Sequence, residues 1–148
     1  EPSPKEKPAS GARDWFEQGL ALEDSDPEAS LRAYQQALEA DPELLDAHLN
    51  RGRLLHEAGQ LAEAEQAYSD ALSACGAEPL LLFNLAVLLE DIGRGAEAIE
   101  AYRAALDGDP ALADAHYNLA LLHENLKQPQ EAIRHMAQYR RLQRSGKA

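Results

Sequence analysis

The chain is poor in positive charge, in aromatic rings and in cysteine, and each shortage removes a class of function. Its one cysteine, Cys75, excludes an intramolecular disulfide and suits the reducing cytoplasm, where the chain is expected to reside. No run reaches the roughly 20 apolar residues that a transmembrane helix needs. No signal-peptide pattern opens the sequence. Lys and Arg number 14 against 26 Asp and Glu, a formal net charge of −12. Such a surface repels DNA, RNA and anionic membranes, so neither a nucleic acid nor a membrane is an expected partner of this segment. From Ala132 onward the charged residues are all basic (Arg134, Arg140, Arg141, Arg144, Lys147), which complements the dipole at the C-terminal end of a last helix.

The groupings that carry catalysis are missing too. There is no glycine-rich phosphate loop, and no Ser/His/Asp or Cys/His set that a helical fold would bring together. The stretch Glu23, Asp24, Asp26, Glu28 lacks the spacing and glycine of an EF-hand loop, and Asp26 and Glu28 read better as a helix start. His116 and His123 are two turns apart on one helix. That places them about 10 Å apart along the axis, too far to share an ion. His48 and His116 occupy a position expected to hold a packed side chain. The sequence therefore predicts no catalytic residue, no cofactor and no metal site.

What the chain has is helix formers and a period. Apolar residues make up 45% of it, mostly Ala and Leu, with Glu and Gln abundant and β-branched residues scarce. Tyr34, Tyr68 and Tyr102 recur at one constant step. Ala37, Ala71 and Ala105 keep the same step, as do Leu38, Leu72 and Leu106, Asn50, Asn84 and Asn118, and Ala64, Ala98 and Ala132. Several residue types locked to one period mark a repeat architecture.

These residues resemble the tetratricopeptide repeat, whose helix-turn-helix unit of about 34 residues has the same length as that step. One copy reads His48-Leu49-Asn50-Arg51-Gly52, then Ala64, Tyr68, Ala71 and Gly76. The next reads Leu82-Phe83-Asn84-Leu85-Ala86, then Ala98, Tyr102, Ala105 and Pro110. The last reads His116-Tyr117-Asn118-Leu119-Ala120, then Ala132 and Met136. The first runs from Trp15 through Gly19, Tyr34 and Ala37 to Pro42, with an inter-helix turn one residue shorter. Arg51 stands where Leu is usual, Gly76 replaces the closing Pro, and Tyr139 takes an Ala position. The resemblance implies an all-α, right-handed α-solenoid of antiparallel helix pairs, with four repeats near 12–44, 45–78, 79–112 and 113–146. Eight helices are expected near 13–23, 27–40, 44–57, 61–74, 79–92, 96–107, 112–126 and 129–144. Residues 1–11, with Pro2, Pro4 and Pro8, read as a disordered linker.

Within this frame Leu82, Leu85, Ala86 and Leu89 fall at i, i+3, i+4 and i+7 and form a buried stripe. The family binds peptides on the concave side, lined by the first helix of each repeat, and the residues off the packed stripe are expected there. They include Phe16, Leu49, Asn50, Arg53, Phe83, Asn84, Val87, Glu90, Asp91, Tyr117, Asn118 and Leu121. The three Asn residues either hold a bound backbone or bond a neighbouring helix. The full set holds nine acids against Arg13 and Arg53. The expected partner is a peptide or protein segment, basic and apolar rather than acidic. Two alternatives stand beside this one. The stretch from Asp14 to Ala29 looks like repeats found behind MerR-type helix-turn-helix domains, which would make the chain the C-terminal region of a bacterial transcription regulator. Met136, Tyr139 and Leu142 on the last helix could instead support a homodimer.

Overall fold

The computed structural model describes the backbone of residues 8–147 and the side chains of residues 11–146. The described residues form eight α-helices and no strand. In chain order they are α1 (Pro8–Leu22), α2 (Pro27–Ala40), α3 (Leu45–Glu57), α4 (Leu61–Cys75), α5 (Pro79–Ile92), α6 (Gly95–Gly108), α7 (Ala113–Asn125) and α8 (Pro129–Lys147). Residues 8–11, expected in the linker, lie in α1; residues 1–7 lie outside the described residues. A proline at the first helical position costs no hydrogen bond, which lets Pro8 open the helix.

The chain divides into two compact units, one ending at Gly76 and the other starting at Ala77. In the first, α1 pairs with α2, α3 with α4, and α2 lies against α3. In the second, α5 pairs with α6, α7 with α8, and α6 lies against α7. The short turns are specified locally. Asp26 caps α2 by accepting from the Ala29 amide at 3.1 Å, with Pro27 next in line. Gly93 ends α5 in the left-handed region at φ 90°. Lys127, one repeat further on, adopts φ 61° at the matching point after α7 without a glycine's freedom.

Each unit is packed around buried tyrosines. Tyr34 and Tyr102 are fully buried, and Tyr68 nearly so. In the first unit Tyr34 joins Phe16, Ala37, Ala47 and Leu54. In the second Tyr102 joins Ala86, Leu89, Ala98, Ala101, Ala115, Leu119 and Leu122. Small residues let the helices approach. A Cβ added at Gly19 would lie 2.5 Å from the Tyr34 ring, and one at Gly52 2.2 Å from the Tyr68 ring. The buried hydroxyl of Ser30, at the register of Ala64, Ala98 and Ala132, donates to the Gly19 carbonyl at 2.6 Å and further ties α2 to α1.

The structure corrects the packing pattern on α5 and on α1. Leu81 and Leu88 are fully buried, whereas Leu82 and Leu85 of the expected stripe are half-buried. Apolar residues surround most of α5, so one stripe did not describe it. Trp15 is 39% exposed and Phe16 only 6%. Phe16 therefore belongs to the core, not to a groove. Its ring sits 5.8 Å from that of Tyr34, and the Arg13 guanidinium lies 4.9 Å over its face.

Candidate functional site

In the first unit a polar chain links the turn after α1 to α2 and α3. The Tyr34 hydroxyl donates to the Glu23 carboxylate and accepts from Asn50 Nδ2 at 3.4 Å. Arg53 Nη2 donates to both oxygens of Glu23 at 2.9 Å, and Arg53 Nη1 donates to Glu57 at 3.3 Å. Burial, reinforced by the Glu23 carboxylate, pushes the Tyr34 phenol up to about 12. Arg53 is thus engaged by two acids of its own chain. Leu49 and Asn50 are half-buried beside it on α3.

The second unit repeats this arrangement with one change. The Tyr102 hydroxyl donates to the Glu90 carboxylate and accepts from Asn118 Nδ2 at 3.1 Å. Burial and then Glu90 raise the Tyr102 phenol well above its usual range. Moving one repeat length at a time from Arg53 leads to Val87 and then to Leu121. Leu121 therefore stands at the register of Arg53, and it is 40% exposed. Neither α5 nor α7 contains a Lys or Arg, while Glu90, Asp91, Asp114 and Glu124 lie on them. Phe83 and Val87 are half-buried, with Phe83 edge-on to Tyr102 at 5.7 Å. Asn84 is half-buried on the same helix. Tyr117 lies with its ring centroid 5.0 Å from that of Tyr139 on α8, tilted by 51°, and is 39% exposed.

Of the expected residues, Leu49, Asn50 and Arg53 fall in the first unit. Phe83, Asn84, Val87, Glu90, Asp91, Tyr117, Asn118 and Leu121 fall in the second. Asn50 and Asn118 bond the tyrosine of the preceding helix, which is one of the two roles open to them.

The histidines of the last hairpin form a second cluster. His116 Nδ1 lies 3.1 Å from His135 Nδ1, and the His123 and His135 rings lie parallel at 5.7 Å. His123 Nδ1 meets Gln128 Oε1 at 2.6 Å, while its buried Nε2 has no hydrogen-bond partner. His123, Glu131 and His135 each bring one donor atom within 4.8 Å of the others. Burial pushes His116 below the usual imidazole range. Burial, then His116 and His123, pushes His135 down to about 4. Spacing along α7 alone does not reveal this cluster. Its sequence signal is Glu131 and His135 at i, i+4 on α8, across a short turn from α7. His48, the counterpart of His116, is buried with Nε2 2.7 Å from the Pro42 carbonyl, in keeping with a packed side chain.

A tetratricopeptide repeat family model matches residues 19–79, a TPR repeat model residues 91–127, and a further tetratricopeptide repeat model residues 113–144. Among curated proteins none matches the chain. Solved structures do. A crystal structure of MamA is 17% identical, with a TM-score of 0.82, 96% of this chain covered and 83% of the other. MamA from Desulfovibrio magneticus RS-1, from residue 41 to its end, is 20% identical, with a TM-score of 0.78, 93% of this chain covered and 78% of the other. A tetratricopeptide repeat protein from Parabacteroides merdae ATCC 43184 is 22% identical, with a TM-score of 0.77, 87% of this chain covered and 52% of the other. These likenesses identify the fold as an all-α helical solenoid.

Proposed function

The chain belongs to the tetratricopeptide repeat family, and from that premise we propose that it is a protein–protein interaction scaffold, not an enzyme, whose second unit takes a basic, apolar segment of a partner. One observation carries the reading. The Glu–Tyr–Asn arrangement occurs in both units, but only the first supplies the carboxylate with an arginine from the following repeat. At Glu90 the matching position is the exposed Leu121. A partner's Lys or Arg would take at Glu90 the role that Arg53 takes at Glu23. Its apolar side chains would cover Leu121, Leu80 and the edge of Tyr117, all of them exposed. The acids on α5 and α7 would steer such a segment in and reject an acidic one.

The test is titration of the chain with two labelled peptides of equal length, one basic and apolar, the other acidic and apolar. The basic peptide should bind more tightly and weaken as salt is raised. Leu121→Arg, which gives Glu90 a cation from its own chain, should cut that affinity about fivefold or more, about 1 kcal/mol, with the fold intact. Tighter binding of the acidic peptide, or no change in Leu121→Arg, would overturn the reading. Self-association through α8 is a second reading, supported by Ile133, which is 69% exposed beside the half-buried Met136. Light scattering over a concentration series tests it, and an unchanging monomer mass would remove it.

A further inference from the structure

We propose that His123, Glu131 and His135 form a binding site for a divalent cation of the zinc type, which clasps the end of α7 to the start of α8. This inference is independent of the partner-binding reading. Its first support is the orphaned His123 Nε2. His123 is 2% exposed, and a buried polar atom without a partner carries a desolvation cost that a ligand would relieve. Its Nδ1–H is committed to Gln128 Oε1, so Nε2 carries a lone pair, the form a metal requires. His48 Nδ1 is a similar orphan, but no group of three donors gathers around it among the described residues.

The second support is the order of hydrogen bonds through the other two rings. His116 Nε2 lies 3.3 Å from the Pro110 carbonyl, which can only accept. The proton therefore sits on Nε2 of neutral His116, and Nδ1 accepts from His135 Nδ1–H at 3.1 Å. This leaves the lone pair of His135 on Nε2. Each liganding imidazole then has its other nitrogen anchored, one by Gln128 and one by His116. That is the supporting arrangement metal-bound histidines use.

The third support is the donor set. Two imidazoles and one carboxylate, within 4.8 Å of one another, suit a borderline cation with one position left for water. Calcium and magnesium prefer all-oxygen sites. Bonds of about 2.0–2.2 Å in a tetrahedron put ligand atoms about 3.4 Å apart. The donors must therefore draw in by about 1.5 Å at most. Glu131 and His135 are half-buried and can turn about their side-chain torsions, while His123 stays fixed. Two features oppose binding. Glu131 is paired with Arg134 at 3.3 Å, though the Arg134 side is exposed and the pair weakly held, and Arg103 and Arg141 act electrostatically on His135 and His116.

The full chain, stripped with chelator, would be titrated calorimetrically with ZnCl2, with MgCl2 as control, and its thermal unfolding followed with and without zinc. One equivalent of zinc should bind and raise the Tm by mass action, and magnesium should do neither. His135→Gln and Glu131→Gln, both at half-buried positions, should each weaken zinc at least about tenfold while the helical circular dichroism is kept. X-ray absorption of the zinc complex should show two imidazoles. Absence of stoichiometric binding, full-strength binding by His135→Gln, or fewer than two imidazoles around the metal would overturn the site.

Discussion

Replacing Gly52 with alanine sets two known effects against each other. Gly52 lies inside α3, where alanine is better than glycine by about 0.8–1 kcal/mol on helix propensity alone. If propensity decided, Gly52→Ala would stabilise the protein. The added Cβ, however, would sit 2.2 Å from Tyr68 Cε1, 2.5 Å from Cζ and 2.8 Å from Cδ1. Carbon atoms rest about 3.5–4.0 Å apart, so the ring would have to retreat by more than about 1 Å. Tyr68 is 1% exposed and flanked by the buried Ala64, Ala67 and Ala71, so α3 and α4 would have to part. Overpacking of this kind costs about 1–3 kcal/mol, with more in rigid sites. The third repeat shows what accommodation requires: its hairpin carries Ala86 at this register, in the same cluster as Tyr102. Packing should win, leaving a net loss of up to about 2 kcal/mol. Urea unfolding followed by circular dichroism measures it. In a Tyr68→Leu background, where the ring is gone, the same substitution should become neutral or stabilising. A Gly52→Ala protein about 1 kcal/mol more stable than the parent would refute the argument.

Tyr102→Phe keeps the ring but strips Glu90 of a donor and Asn118 of an acceptor, and should cost about 1–3 kcal/mol in urea unfolding. Because Tyr34 titrates near 12 when folded against about 10 when unfolded, the folded state keeps a proton that the unfolded state gives up. The stability this lends is complete below pH 10 and should fade between pH 10 and 12, by about 1–2 kcal/mol once solvent screening of this partly accessible site is allowed for. A pH series of denaturation midpoints, with Tyr34→Phe as reference, checks the slope. Lys127→Gly, at φ 61° where Gly93 serves the preceding repeat, should stabilise by about 0.5–1 kcal/mol, read as a rise in Tm.

The helices were legible because alanine, leucine and glutamate at a fixed period carry both propensity and phase. Tyr34, Tyr68 and Tyr102 were legible as core because nothing else of their size shares the period. The misses have a common physical origin. A stripe drawn on one helix cannot tell which of two adjacent lines is buried when apolar residues run nearly all round, which is how Leu81 and Leu88 escaped. It cannot tell that the ring of Phe16 closes over the tyrosine of its own hairpin while Trp15 turns outward. The histidine cluster escaped for the same reason: His135 meets His116 and His123 only through the antiparallel register of α7 and α8, which spacing along one helix does not encode.

The two units share one packing scheme and differ at its outer edge. Tyr34 and Tyr102 fill equivalent core positions, and each donates its hydroxyl hydrogen to a glutamate and accepts one from an asparagine. Burying a phenol demands such partners, so this part follows from stability alone. On the glutamate's outer side the two units differ. There the first unit places Arg53, held by Glu23 at 2.9 Å and by Glu57 at 3.3 Å. A carboxylate closed in this way by its own chain has little left to offer a second molecule. In the second unit the same register holds an exposed leucine, on a pair of helices without a single Lys or Arg. Folding gains little from an exposed leucine at that position, whereas a docking segment would gain both a counter-charge and an apolar contact. On the proposed function, the difference between Arg53 and Leu121 would separate a repeat that closes on itself from one that takes a partner, and Leu121→Arg tests that distinction with a single side chain.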